Sequence, residues 1–110
     1  MSVDWLLIST RYSDASEARP DEPLRYQIRL QPEGVLQVRA DCNRAGGRYR
    51  LDGSSISLEI THSTMAACEP GSLAPAFQRD LGVVQSYIVR DGLLYFELKD
   101  HAGRMEFRGK

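Results

Sequence analysis

The sequence predicts a mainly β protein, a small antiparallel barrel-like meander of about seven to eight strands with one α-helix over about residues 72–85. Three observations carry this. Short runs alternate apolar and polar residues, the period-2 pattern of a strand with one buried face. Asp52-Gly53 and Asp91-Gly92 sit between such runs as hairpin turn signals, because both residues tolerate positive φ. A single segment switches to helical spacing.

Taken in order, Trp5-Leu6-Leu7-Ile8 is a short buried-strand candidate. The polar, proline-bounded stretch from Tyr12 to Pro23 reads as a long surface loop. Tyr26, Ile28 and Leu30 alternate with Arg25, Gln27, Arg29 and Gln31, and after the Pro32-Glu33-Gly34 turn Leu36, Val38 and Ala40 complete a hairpin. Asn43, Gly46 and Gly47 are expected to form a tight connection, with Asn43 bonding local backbone. Tyr49 and Leu51, then Ile56, Leu58 and Ile60, are the inward positions of the next two strands.

Ser72 is a candidate N-cap and Pro75 stands in the first helical turn, where a missing N–H costs little. Leu73, Phe77, Leu81 and Val84 give one apolar stripe, ending near Gln85. Tyr87 to Arg90, the alternation of Leu94, Phe96 and Leu98, and Met105 with Phe107 finish the chain. A meander removes its edges by curling into a barrel, with the helix over an open end or seam. An α+β sheet with the helix on one face is the competing architecture.

The 110 residues suit one domain, 1–110. Fourteen basic and fifteen acidic residues leave a net charge of −1, a balance that does not favour nucleic acid as a partner. Apolar runs are too short for a transmembrane segment. Met1-Ser2-Val3-Asp4 lacks a basic n-region and a long apolar h-region. Two locations stay open: the cytoplasm, or the periplasm or cell envelope if a signal segment has been removed.

Cys42 and Cys68 read as structural, either disulfide-bonded or as two buried thiols, ahead of a reactive thiol beside Arg44 or His62. A bond would close a loop of about 27 residues and add roughly 3–4 kcal/mol in an oxidising compartment. His62-Ser63-Thr64 lacks a nucleophile elbow, and His62 and His101 do not stand at metal-ligand spacing. No catalytic residue, metal or cofactor is expected, and the chain is not expected to be an enzyme. Arg25, Arg29, Arg39, Arg48 and Arg50 alternate outward on adjacent strands. Their plain reading is a solvated face; their functional reading is a basic face for an acidic partner or anionic polymer.

Asp41-Cys42-Asn43-Arg44-Ala45-Gly46-Gly47-Arg48-Tyr49 and Thr64-Met65-Ala66-Ala67-Cys68 resemble the paired Cys-Asn…Gly-x-Tyr and Thr…Cys elements of the META (HslJ-like) domain family. Trp5 near the start and a closing strand at Met105 to Phe107 extend the likeness over nearly the whole chain. Trp5, Asn43, Gly47, Tyr49 and Thr64 are the motif positions beside the cysteines. Arg44-Ala45-Gly46 departs from the commoner family form, where an aromatic or hydroxylated residue often follows the Asn.

The resemblance implies a small β-barrel-like domain of bacterial envelope lipoproteins or secreted proteins. Some members are linked to heat shock or antibiotic tolerance, and no catalytic residues come with the family. Two functions are then expected to compete. One is a non-catalytic envelope or stress-associated module binding an unknown protein or envelope polymer. The other is a lipocalin-like carrier of a small apolar ligand. Trp5, Tyr26, Tyr49, Phe77, Phe96 and Phe107 as inward residues argue for a filled barrel.

Overall fold

The computed structural model describes residues 3–110. Met1 and Ser2, which enter the signal-segment expectation, lie outside the described residues. The elements are β1 (Asp4–Tyr12), β2 (Glu17–Ala18), β3 (Tyr26–Gln31), β4 (Val35–Ala40), β5 (Asn43–Asp52), β6 (Ser55–Ser63), α1 (Ala74–Leu81), β7 (Val84–Arg90), β8 (Leu93–Leu98) and β9 (Gly103–Gly109). From β3 to β9 each strand pairs antiparallel with the next, and β1 pairs with both β3 and β9. The result is a closed eight-stranded barrel in which β2 is one extra short strand on β1. Closure leaves no long free edge for another chain to copy.

The alternation read from the sequence is the inside–outside alternation of the barrel. Tyr26, Ile28, Leu36, Val38, Ala40, Ile56, Leu58, Leu94, Phe96, Leu98, Met105 and Phe107 are buried in one cluster. Phe107 meets Phe96 edge-on at 5.3 Å between ring centroids, and Phe77 of α1 reaches Tyr26 at 5.6 Å and Phe107 at 6.3 Å. The helix therefore plugs the barrel with an aromatic side chain instead of lying on one face of an open sheet. Trp5 and Tyr49 pack against the same cluster while half-buried.

Turn chemistry follows the sequence at Asp91-Gly92, where both residues have positive φ (54° and 79°), the requirement of a tight two-residue hairpin. Three expectations change. The helix is shorter than residues 72–85: it spans Ala74–Leu81, and Val84 is the buried first residue of β7. Gly82 closes it with its N–H on the carbonyls of Gln78 and Arg79, and the following Val83-Val84 pair, stiff at χ1, suits a strand better. Ser72 lies outside the helix, its hydroxyl accepting from the Ala74 N–H at 3.1 Å.

The stretch from Tyr12 to Pro23 is not all loop. β1 runs to Tyr12, and Glu17-Ala18 turns back to pair with Arg11 and Thr10, helped by an Arg11–Glu17 ion pair at 3.2 Å. The connection expected at Asn43 to Gly47 is instead regular β5; the turn is the Asp41-Cys42 pair, with Asp41 at φ 59°.

Two irregularities interrupt the ladder of paired strands. The β5–β6 register shifts between Gly46 and Gly47, so that Thr61 is a bulged extra residue. A Cβ on Gly47 would collide with the Glu59 carbonyl oxygen, so the bulge requires glycine there. Further on, β6 meets β7 through the single pair Ser55↔Ser86, supported by Tyr87 N–H donating to the Ser54 carbonyl at 3.0 Å. Beyond that point β7 continues with Ile88 and Val89 exposed, while the far end of β6 reaches α1, Ser63 Oγ donating to Gln78 Oε1 at 3.2 Å.

Candidate functional site: a loop anchor and an outer arginine face

The two cysteine elements come together. Cys42 in the β4–β5 turn and Cys68 in the loop before α1 form a disulfide, with 5.7 Å between their Cα atoms. Asn43 completes the joint. Its Nδ2 donates to the Ala66 carbonyl at 3.0 Å, and its Oδ1 accepts from the Ala66 N–H at 2.9 Å and the Thr64 hydroxyl at 2.8 Å. The expectation of a local backbone bond at Asn43 is corrected: its partners lie over twenty residues away. Thr64 in turn accepts from the Arg44 N–H at 3.0 Å.

Nearby, Asp41 is buried and forms a 2.9 Å ion pair with Arg25. The Ser72 hydroxyl first, and the Arg25 guanidinium next, hold its carboxyl below the ordinary range. Tyr26 receives the Leu73 N–H at 2.9 Å. Cys42, Cys68, Asn43 and Thr64 thus hold the loop from Thr64 to Leu73 against the barrel. Tyr49 places its hydroxyl on the Gln31 carbonyl at 2.5 Å.

A second buried carboxylate, Asp80 at 3% exposure, fastens the other side of α1. It accepts from the Tyr12 hydroxyl at 2.6 Å and pairs with Arg79 at 3.2 Å. Burial, then the Asp80 carboxylate alongside, push the Tyr12 phenol up to about 12.

The outer face of β3 to β6 is different in character. Register places Gln27 opposite Arg39 and Arg39 opposite Arg44 in one row. Arg29, Gln37, Gly46 and His62 follow in the next, then Val35, Arg48 and Glu59, with Arg50 opposite Ser57 beyond. Of the arginines expected on one face, Arg29, Arg39, Arg48 and Arg50 are there, and Arg25 sits apart at the strand start with Glu22 and Asp41. Arg44 joins the face by the same alternation that sets Arg48 and Arg50 on β5, and His62 joins it through the β6 bulge, which sequence alternation alone does not reveal.

Among the described residues Arg39, Arg44, Arg48 and Arg50 form no ion pair. Arg39 and Arg48 instead donate to the carbonyls of Asp41 and Glu33, each at 3.3 Å. Arg29 is engaged by Asp4 through two bonds of 2.6 and 2.9 Å, which hold the Asp4 carboxyl below its usual range. Between these side chains lies a groove of about 520 Å³, with Gly46 in its lining together with Gln27, Arg29, Gln37, Arg39, Arg44 and His62.

The META domain family model matches residues 2–109. Two solved structures share the fold: the NMR structure of a protein from Burkholderia xenovorans, 19% identical with a TM-score of 0.71 over 98% of this chain and 81% of that one, and the crystal structure of a duf4847 family protein from Bacteroides vulgatus ATCC 8482, 11% identical with a TM-score of 0.69 over 96% of this chain and 91% of that one. A search of curated proteins finds no match.

Proposed function

The chain belongs to the META domain family, and from that premise we propose that it is a non-catalytic binding module of the bacterial envelope that engages an anionic protein or polymer through the outer face of β3 to β6. One observation carries the reading. Arg39 and Arg44 stand directly opposite each other on adjacent strands without a carboxylate partner. Like charges in that position destabilise a sheet. A chain that retains them, with Arg48 and Arg50 beside them, is arranged to receive negative charge from outside itself.

The disulfide fits an oxidising compartment, where such bonds persist. The carrier alternative is disfavoured by the interior: Phe96, Phe107, Met105 and Leu81 have no exposure, and Phe77 plugs the barrel from α1. Uptake of an apolar fluorescent probe by the folded protein, competed by fatty acid, would restore that alternative.

The binding reading is tested by retention on immobilised polyglutamate against immobilised polylysine. Wild type is expected to be held by polyglutamate alone and released by moderate salt, since exposed charges are screened over about 10 Å at 0.1 M. The R39E/R50E double variant is expected to pass through. Equal retention of that variant sinks the proposal.

A further inference from the structure

We propose that the groove between Arg39 and Arg44 is a subsite for one phosphate group; the inference rests on the binding-module reading and gives its ligand class. The charge count comes first. Three arginines line the groove, and the Arg29 fork is already filled by both oxygens of Asp4. Arg39 and Arg44 remain, two positive charges on neighbouring strands, which a dianion balances and a single carboxylate does not.

Shape gives the same answer. Directly opposed residues hold their Cβ atoms roughly 4.5–5.5 Å apart. Two guanidinium groups carried at that spacing can reach one group between them, Arg39 through its terminal N–H groups, since its Nε is on the Asp41 carbonyl. A carboxylate has two oxygens in one plane and satisfies one fork. A phosphate has three terminal oxygens in a tetrahedron, and can be held by both guanidinium groups at once.

The wall of the groove is formed by the His62 ring packed on buried Gly46. Gly46 has no side chain, and a Cβ there would stand 2.7 Å from His62 Nε2. The imidazole thus lies directly over the glycine at the groove wall. Thr61 Oγ1 donates to the Gly46 carbonyl at 3.4 Å and accepts from His62 Nδ1 at 3.3 Å, which holds the ring against the glycine. The Gln27 and Gln37 amides, also in the lining, supply neutral donors.

The experiment is a two-dimensional amide NMR titration of the whole protein with inorganic phosphate and, at matched ionic strength, with acetate. Phosphate is expected to shift the amides of Arg44, Gly46 and His62 saturably, and acetate is not. R39Q and R44Q are each expected to weaken phosphate binding at least tenfold. R90Q, at an exposed arginine on β7 away from this face, leaves it unchanged, and the dispersion of each spectrum reports folding directly. Shifts that do not saturate, that acetate reproduces, or that survive R39Q and R44Q overturn the subsite. If the subsite fails while polyglutamate still retains wild type and releases R39E/R50E, the binding-module reading stands without it. Failure of both experiments removes both.

Discussion

At the scale of single residues, the motif positions act by filling places where nothing else fits. Gly47 is the sharpest case, since the β5–β6 bulge brings the Glu59 carbonyl where a Cβ would go. Gly47→Ala is expected to cost about 2–4 kcal/mol, at or above the usual range for forced overpacking. Gly53→Ala, which meets nothing within 4 Å and is strained only by φ 61°, should cost about 1 kcal/mol; urea unfolding of the two variants checks the difference. Tyr12 gives a pH signature. Its phenol is raised from 10.0 to about 12 in the folded protein. The stability it contributes is therefore complete below pH 10 and lost as pH rises toward 12. Tyr12→Phe is expected to flatten that alkaline limb in thermal melts across this range, and an unchanged limb would show another group responsible. The depressed Asp41 carboxyl works in the opposite sense, its contribution being lost as pH falls through its lowered folded-state value. The sequence marked Gly47, Asn43 and Tyr49 as positions of note. It could not disclose their partners, because each reaches across a strand pair or into a distant loop.

At the scale of elements, the strands were legible wherever one face is buried and the other wet, as in Tyr26 to Gln31 or Leu93 to Leu98. Ends were less so. The apolar stripe from Leu73 to Val84 is continuous in sequence, but Gly82 divides it between helix and strand, and buried Val84 serves equally well in either. β2 was hidden because two residues carry no periodicity. The loop from Thr64 to Leu73 is the element most dependent on one covalent link. Reducing Cys42–Cys68 is expected to lower stability by roughly 2–4 kcal/mol. The first proteolytic cuts should then fall within that loop, near exposed Met65, as read by mass spectrometry of limited digests. Cleavage starting in β8 or β9 instead would contradict the anchoring role.

At the scale of the whole molecule, the barrel follows from a meander whose first and last long strands pair, Trp5 opposite Gly109 through Tyr12 opposite Gly103. The candidate site was legible in part. Alternation put Arg29, Arg39, Arg48 and Arg50 outward, and near-neutral net charge concealed that they share a face with few acids. His62 stayed out of sight because a bulge, a three-dimensional event, sets its phase, and Arg44 because Asn43 to Gly47 reads as a turn instead of the start of β5. If this face sacrifices stability to hold unpaired charge, Arg44→Glu should raise stability by about 0.5–1 kcal/mol by pairing with Arg39. The gain should shrink in high salt. A destabilised Arg44→Glu protein in low-salt urea titrations would mean the opposed arginines do not repel.

The single pair joining β6 to β7 has one more consequence, for the fate of the protein under stress. Beyond Ser55 β6 has no further strand pair with β7, and its far end meets α1 through the Ser63–Gln78 hydrogen bond. The helix therefore stands at the far end of the one stretch of the closed barrel where strand pairing thins to a single pair. Should it lift away, Leu58, Ile60 and their unpaired backbone become a template for another chain before the rest of the barrel has opened. Solubility, more than fold, is what α1 and its Tyr12–Asp80 fastening protect.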